Sequence, residues 1–229
     1  MQLKDPTPSG DVPILALFDM DRTLLTANSA SLWLRFEHQE GRLSRLDVLR
    51  GLVWLLQYKL GRMDMGAVTE RALALSAGHD ARLLEERIER WHRQMVRPTI
   101  SRKAVGRLEA HRRAGHDLAI LTASTQFGAS LVARELGVEH LVCTRLEVGA
   151  DGLLTGRVEG NMCYGEGKLK MALSFADERR ASLEEAWFYS DSYTDLPLLE
   201  VVGNPVAVNP DPRLSRHAKT AGWPIVRFD

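Results

Sequence analysis

The stretch Ile14-Leu15-Ala16-Leu17-Phe18-Asp19-Met20-Asp21-Arg22-Thr23 passes from five apolar residues to two carboxylates without a transition. An apolar run this short, with no alternation, suits a strand buried on both faces of a parallel sheet. Two further runs end as abruptly: Leu118-Ala119-Ile120-Leu121 stops at Thr122-Ala123-Ser124, and Ala186-Trp187-Phe188-Tyr189 stops at Ser190-Asp191. Ligands of open α/β sheets bind beyond the carboxyl ends of the strands, so these three polar ends predict the rim of one site. Pro205 to Val208 and Pro224 to Phe228 are further candidate strands near the C-terminus.

Helical patterns fill the intervals, over Lys103 to Arg113, Gly128 to Leu136, Lys168 to Phe175, Leu196 to Val201 and Pro212 to Thr220. The alternation predicts an α/β fold built on a parallel sheet. Between Leu141 and Val158 the residues alternate around Ala150-Asp151-Gly152, which predicts a β-hairpin with Asp-Gly in its turn. Asn28 to Arg97 carries no strand signal; it offers about four amphipathic helices, broken near Gly41, Gly61 and Gly78-His79-Asp80. Roughly seventy helical residues are too many for one crossover connection. They are therefore expected to form an inserted helical cap over residues 28–97, leaving 1–27 and 98–229 as the α/β core.

Across 229 residues, 45% are hydrophobic and 26% charged, a balance that excludes a disordered chain. Thirty Lys+Arg meet thirty Asp+Glu, so no cationic excess draws the protein to nucleic acid or an anionic membrane, and neither is an expected partner. The longest apolar runs, Ile14 to Phe18 and Leu52 to Leu56, fall far short of the ~20 residues that cross a bilayer. The prolines and aspartates of the N-terminus do not follow the order of a signal peptide, so a cytoplasmic location is expected. Cys143 and Cys163 lack metal-ligand spacing and are assigned as buried thiols. His38, His79 and His92 also lack ligand spacing and are assigned to surface or packing.

Asp19 and Asp21 would point to opposite sides of an extended chain. A turn beginning at Asp19 would instead hold both near one phosphate, one as nucleophile and the other as proton donor to the leaving oxygen; the plainer alternative is that one of them caps a helix. Asp191-Ser192-Tyr193-Thr194-Asp195 brings two more carboxylates to the same sheet edge, although Asp191 alone would also serve as an N-cap. So many acids need a cation, and hard oxygen donors suggest Mg²⁺. The Thr122 hydroxyl and the backbone N–H of Ala123 are placed to hold phosphate oxygens. Lys168, in Gly165-Glu166-Gly167-Lys168, opens a helix against its macrodipole, which an anionic partner would explain and a solvated surface lysine would not require.

Taken in order, Asp19-x-Asp21-x-Thr23, Thr122, Lys168 and Asp191-xxx-Asp195 resemble the motifs of the haloacid dehalogenase superfamily, in the subfamily IB branch typified by phosphoserine phosphatase. The likeness covers Pro13 to Thr26 and Ser101 to Asp229, and includes Leu153-Leu154-Thr155-Gly156-Arg157-Val158-Glu159-Gly160. It implies a Rossmann-like core and a phosphatase that works through an aspartyl phosphate. By resemblance Asp19 is the nucleophile, and Asp21 protonates the leaving alcohol and then activates water. Thr122 and Lys168 hold phosphoryl oxygens. Asp19, the main-chain carbonyl of Asp21, and Asp191 bind Mg²⁺, supported by Asp195.

The expected substrate is a small phosphomonoester. Phosphoserine phosphatases carry a Glu that reads the substrate amine where this chain has Asn28, and a carboxylate-binding cap arginine where it has Ala72, next to Arg71. Both departures weaken phosphoserine, and the missing arginine fits histidinol phosphate, which has an amine and an imidazole but no carboxylate. Trp33, Phe36, Trp54, Tyr58 and Trp91 offer aromatic surface for such a ring, although their helical spacing also suits core packing. A phosphotransferase is the enzymatic alternative. A phospho-receiver signalling domain is the non-enzymatic one, but it needs neither the helical insertion nor the second acid.

Overall fold

The computed structural model describes residues 3–8, 12–59 and 76–229, with the backbone alone for 54–59. Six strands form a parallel sheet: β1 (Leu15–Phe18), β2 (Asp117–Thr125), β3 (His140–Thr144), β6 (Trp187–Ser190), β7 (Asn204–Val208) and β8 (Ile225–Val226). A separate antiparallel hairpin joins β4 (Leu146–Val148) to β5 (Leu154–Val158). The sheet order is β3-β2-β1-β6-β7-β8. Chain order therefore reverses at β1, and a crevice opens there beyond the strand ends. Phe18 pairs with Ile120 on one side and Tyr189 on the other, so Asp19 leaves the sheet flanked by the ends of β2 and β6.

Alternate residues of the strands feed two cores. Ala16, Phe18, Ile120 and Tyr189 pack on one face, and Leu15, Leu17, Leu121 and Phe188 on the other. Helices cover both sides: α4 (Arg102–Arg113) and α5 (Gln126–Leu136) on the first, α6 (Glu166–Glu178), α7 (Leu196–Leu199) and α8 (Pro212–Ala221) on the second. The buried double-sided run of β1 is thus satisfied as a parallel interior strand requires.

Between β1 and α4 the described chain is helical, in α1 (Ser29–Gln39), α2 (Arg45–Lys59) and α3 (Ala81–Trp91). Leu32, Phe36, Ile88 and Trp91 join the same core as Phe18 and Ile120, so α1 and α3 seat directly on the first face. The segment entering these helices hydrogen-bonds the segment leaving them, Thr26 N–H to Thr99 O at 2.7 Å. The break near Gly78 also docks on the hairpin: Leu154 N–H donates to His79 O at 2.9 Å and Ala81 N–H to Gly152 O at 3.0 Å. The Gly61 break lies outside the described residues.

Three local expectations change. Leu141 to Thr144 is not part of the hairpin but an edge strand of the main sheet, because β3 pairs in parallel with β2 and the hairpin begins only at Leu146. Thr122 does not end β2. The strand continues to Thr125 through a shift in register, with Thr122 opposite Cys143 and Thr125 opposite Thr144, so Ala123 and Ser124 bulge out. The last strand contracts to Ile225–Val226.

Candidate active site

Asp19 is still tied to the sheet, its N–H donating to Tyr189 O at 2.9 Å. The chain then turns through Met20–Leu24, closed by Leu25 N–H to Met20 O at 2.9 Å. Arg22 adopts φ 57° in this turn, and Asn209 Nδ2 fixes the strained peptide by donating to Arg22 O at 2.9 Å. The reversal carries Asp21 to the start of α1. Its carboxylate accepts from Ser29 N at 2.8 Å, Ser29 Oγ at 3.0 Å and Asn28 Nδ2 at 3.1 Å. Asp21 therefore does secure a helix start while its side chain lines the site. Asp19 makes no such bond. Asp191 is not the N-cap of the turn after β6, since Ser192 accepts from Thr194 N there.

Lys168 is not a solvated surface residue. Only 2% exposed, its Nζ donates to Asp19 Oδ1 at 2.9 Å and to Asp195 Oδ2 at 2.8 Å. Ser190 Oγ adds a third hold, donating to Asp195 Oδ2 at 2.6 Å. Two glycines place the lysine. Gly165 takes φ +52° at the entry to α6, and at Gly167 a Cβ would come within 2.2 Å of Met162 O. Burial pushes the Asp19 carboxyl up to about 7; Lys168 opposes the shift, and Asp195 and Asp191 add to it. Burial, followed by the Asp19 charge, likewise raises Asp21 to about 7, against its Ser29 hydrogen bonds. For Lys168, burial works against the charge, but Asp19 and Asp195 outweigh it and hold the ammonium above the usual lysine range.

All eight residues singled out from the sequence line one cavity of about 300 Å³: Asp19, Asp21, Asn28, Thr122, Ala123, Lys168, Asp191 and Asp195. The β2 bulge brings Ala123 to its surface. Thr122 Oγ1 accepts from Ser124 N at 3.1 Å, which leaves the hydroxyl hydrogen free to donate into the cavity. Asn28 is already committed at both ends of its amide, accepting from Ser31 N at 2.9 Å and donating to Asp21. One N–H remains for a ligand. Arg22, Ser31, Leu52, Tyr164, Ser192 and Thr194 complete the lining. Ser192 and Thr194 lie inside the Asp191–Asp195 motif and were findable by adjacency, whereas Leu52 of α2 carried no signal.

Four carboxylates around one buried ammonium leave an excess of hard oxygen donors, which suits a divalent cation of the Mg²⁺ type. Among the described residues no group of three or more His, Cys, Asp or Glu side chains is arranged to hold a metal. The set expected here uses two carboxylates, Asp19 and Asp191, plus the Asp21 carbonyl, and both carboxylates line the cavity. Cys143 and Cys163 are buried free thiols, as expected, and burial pushes Cys163 up to about 12. His38 and His79 bond nearby carbonyls, Leu43 O and Ser76 O, and His92 is buried. Trp33, Phe36 and Trp91 pack in or against the first core. Arg71, Ala72 and the side chains of Trp54 and Tyr58 lie outside the described residues.

Comparison with known proteins agrees with this geometry. A family model described as haloacid dehalogenase-like hydrolase matches residues 16–200. A histidinol-phosphatase of Neisseria meningitidis serogroup C is 31% identical over 218 residues, covering 93% of this chain and 98% of that protein. A phosphoserine phosphatase of Mycobacterium tuberculosis is 32% identical over 228 residues, covering 98% of this chain and 74% of its own. The solved structure of a Bordetella pertussis Tohama I protein of unknown function superposes with a TM-score of 0.85 at 34% identity, covering 95% of this chain and all of that one.

Proposed function

The chain belongs to the haloacid dehalogenase-like hydrolases, and we propose that it is a Mg²⁺-dependent phosphatase of a small phosphomonoester, acting through an aspartyl phosphate. The carrying observation is the buried bonding of Asp19 to Lys168 and Asp195, beside an Asp21 carboxyl raised to about 7. Asp19 forms a bond from its carboxylate oxygen to phosphorus as the ester P–O bond breaks, and Asp21 gives its proton to the departing alcohol oxygen. Asp21, now charged, takes a proton from water, whose oxygen attacks the phosphorus and frees phosphate and the Asp19 carboxylate. Lys168, Thr122 and the Ala123 N–H hold the phosphoryl oxygens, and the Lys168 ammonium favours the charged form of Asp19 against its burial. Mg²⁺, held by Asp19, Asp191 and the Asp21 carbonyl, would neutralise charge on the transferring phosphoryl group.

Residues 28–97 act as a cap that shields this exchange from bulk water. The favoured substrate is histidinol phosphate. Two things support it: a relative of that name matches nearly full length, and Ala72, where the resemblance expects a carboxylate-binding arginine, offers no charge to a carboxylate, which histidinol phosphate lacks. Phosphoserine is the competing substrate, favoured by the relative that bears its name. Steady-state kinetics with both esters in Mg²⁺ decide the order. Histidinol phosphate is expected to have the higher kcat/KM by at least about tenfold, because the missing charge-assisted contact to a carboxylate costs phosphoserine alone, whereas the missing contact to an ammonium is lost to both. Equal or better turnover of phosphoserine would reverse the assignment, and full activity in excess chelator with no residual metal would remove the Mg²⁺ requirement.

A further inference from the structure

Beside the acidic cavity lies a second one, of about 310 Å³, that none of this chemistry uses. Trp33 of α1, Leu84, Ile88 and Trp91 of α3, and Met20 form its apolar walls. Toward the catalytic residues it is bounded by Ser29, Ser124 and Ala123, and Ala123 lines both cavities. Ser29 Oγ and Ser124 Oγ are 3.1 Å apart, and the same Ser29 hydroxyl donates to Asp21 at 3.0 Å. The space therefore begins next to the carboxyl that serves the leaving oxygen.

Its lining selects the occupant. No charged side chain among the described residues faces it, so an ammonium or carboxylate would be desolvated there without a partner. The Trp33 and Trp91 rings meet edge to face at 89°, with centroids 5.6 Å apart, a surface suited to a flat ring. A cavity of about 150 Å³ already holds benzene, so this one has room for a ring and the carbons that link it to a phosphate.

On the reading that the phosphoryl group sits at Thr122 and Ala123, we propose that the Trp33–Trp91 cavity receives the organic group of the substrate, and that this group carries a neutral aromatic ring a short carbon chain away from the phosphate. An ammonium near the phosphate stays among the carboxylates while the ring crosses Ala123 into the apolar space.

The test compares 2-phenylethyl phosphate with ethyl phosphate, whose alcohols leave with similar ease, so the ratio of kcat/KM reports the ring alone. The ratio is expected to be at least about tenfold in the wild type. Ala30 lines the cavity from an exposed position on α1, and Ala30→Leu should fill it and bring the ratio to within about threefold of one. A wild-type ratio near one, or a ratio untouched by Ala30→Leu, would overturn the proposal. Indole fluorescence titrated with 2-phenylethylphosphonate, which is not hydrolysed, reads the cavity without turnover. The expected Kd is about tenfold weaker in Ala30→Leu, and equal values overturn the proposal. Should neither ester turn over while the phosphonate keeps that difference, the phosphatase reading fails and the ring subsite stands.

Discussion

At Asp21 two influences oppose each other on one carboxyl. Three hydrogen bonds from Asn28 and Ser29 favour its charged form, yet burial and the neighbouring Asp19 outweigh them and raise it to about 7. The result is an oriented group that still holds a proton near neutrality, as a leaving alkoxide requires. Asp21→Asn keeps the shape and loses the transferable proton. It is expected to lower kcat on alkyl phosphates by about 10²–10⁴ and on aryl phosphates far less, because a phenolate leaves without protonation. Equal losses on both would deny Asp21 the acid role. Asp19→Asn should abolish turnover on either ester with an unchanged circular dichroism spectrum, since only the attacking charge is removed; near-normal rates would transfer the nucleophile's role elsewhere.

At the scale of elements, the first turn of α6 decides where Lys168 points, and that turn presses on the Met162 carbonyl. Gly167→Ala places a Cβ 2.2 Å from Met162 O, so the backbone must move and the lysine with it. The expected outcome is a lower unfolding midpoint together with at least about a tenfold fall in kcat. Gly106→Ala in α4 is the control: its Cβ would meet nothing within 4 Å, so a gain of about 0.5–1 kcal/mol in urea unfolding is expected, with kcat unchanged. A catalytically normal Gly167→Ala would show that α6 does not set the site.

The same elements show what the sequence could and could not disclose. β1, β6 and β7 were legible because buried interior strands are short, apolar and sharply bounded. The β2 bulge and the edge strand β3 were not: Leu141 to Val158 alternates throughout, and alternation does not say which partner a segment pairs with or in which direction. Lys168 was legible as an anomaly of charge at a helix start, but its burial arises from Asp19 and Asp195, distant in sequence and brought near only by the sheet. The side cavity was invisible for the same reason, since Trp33 and Trp91 lie on different helices and meet only when both seat on one face of the sheet.

For the whole molecule, α4 fastens both ends of the described chain to the sheet. Lys103 Nζ donates to Asp229 O at 2.6 Å, and Arg107 Nη2 donates to Lys4 O at 2.6 Å. Beneath lies a buried line of polar groups: Arg107 Nε to Tyr189 Oη at 2.7 Å, His111 Nε2 to Tyr189 Oη at 2.7 Å, His111 Nδ1 to His116 Nδ1 at 2.9 Å, and His116 Nε2 to Thr7 O at 2.7 Å. Thr7 O only accepts, so His116 Nε2 donates. The two facing Nδ1 atoms share one proton, and with no net charge on the pair that proton sits on His111. Tyr189 then donates to His111 while accepting from Arg107, and every group is satisfied.

An added proton breaks this order, and it would enter a site already facing Arg107. Burial, then Arg107 and His116, hold the His111 pKa down at about 3, against 6.5 for an ordinary histidine. The unfolded chain therefore takes up a proton below about pH 6.5 that the native protein refuses until about pH 3, so native stability contributed by His111 is complete above 6.5 and falls with pH through that window. Its share of the slope is about 1.4 kcal/mol per pH unit. His111→Gln keeps a donor and an acceptor but does not titrate. Urea unfolding at pH 7, 6 and 5 should find the variant less stable than wild type at pH 7, with a dependence on pH shallower by about that amount per unit below 6. Parallel curves for the two proteins would mean that His111 is protonated in the native state, and that the line from Arg107 to Thr7 runs with a different set of protons.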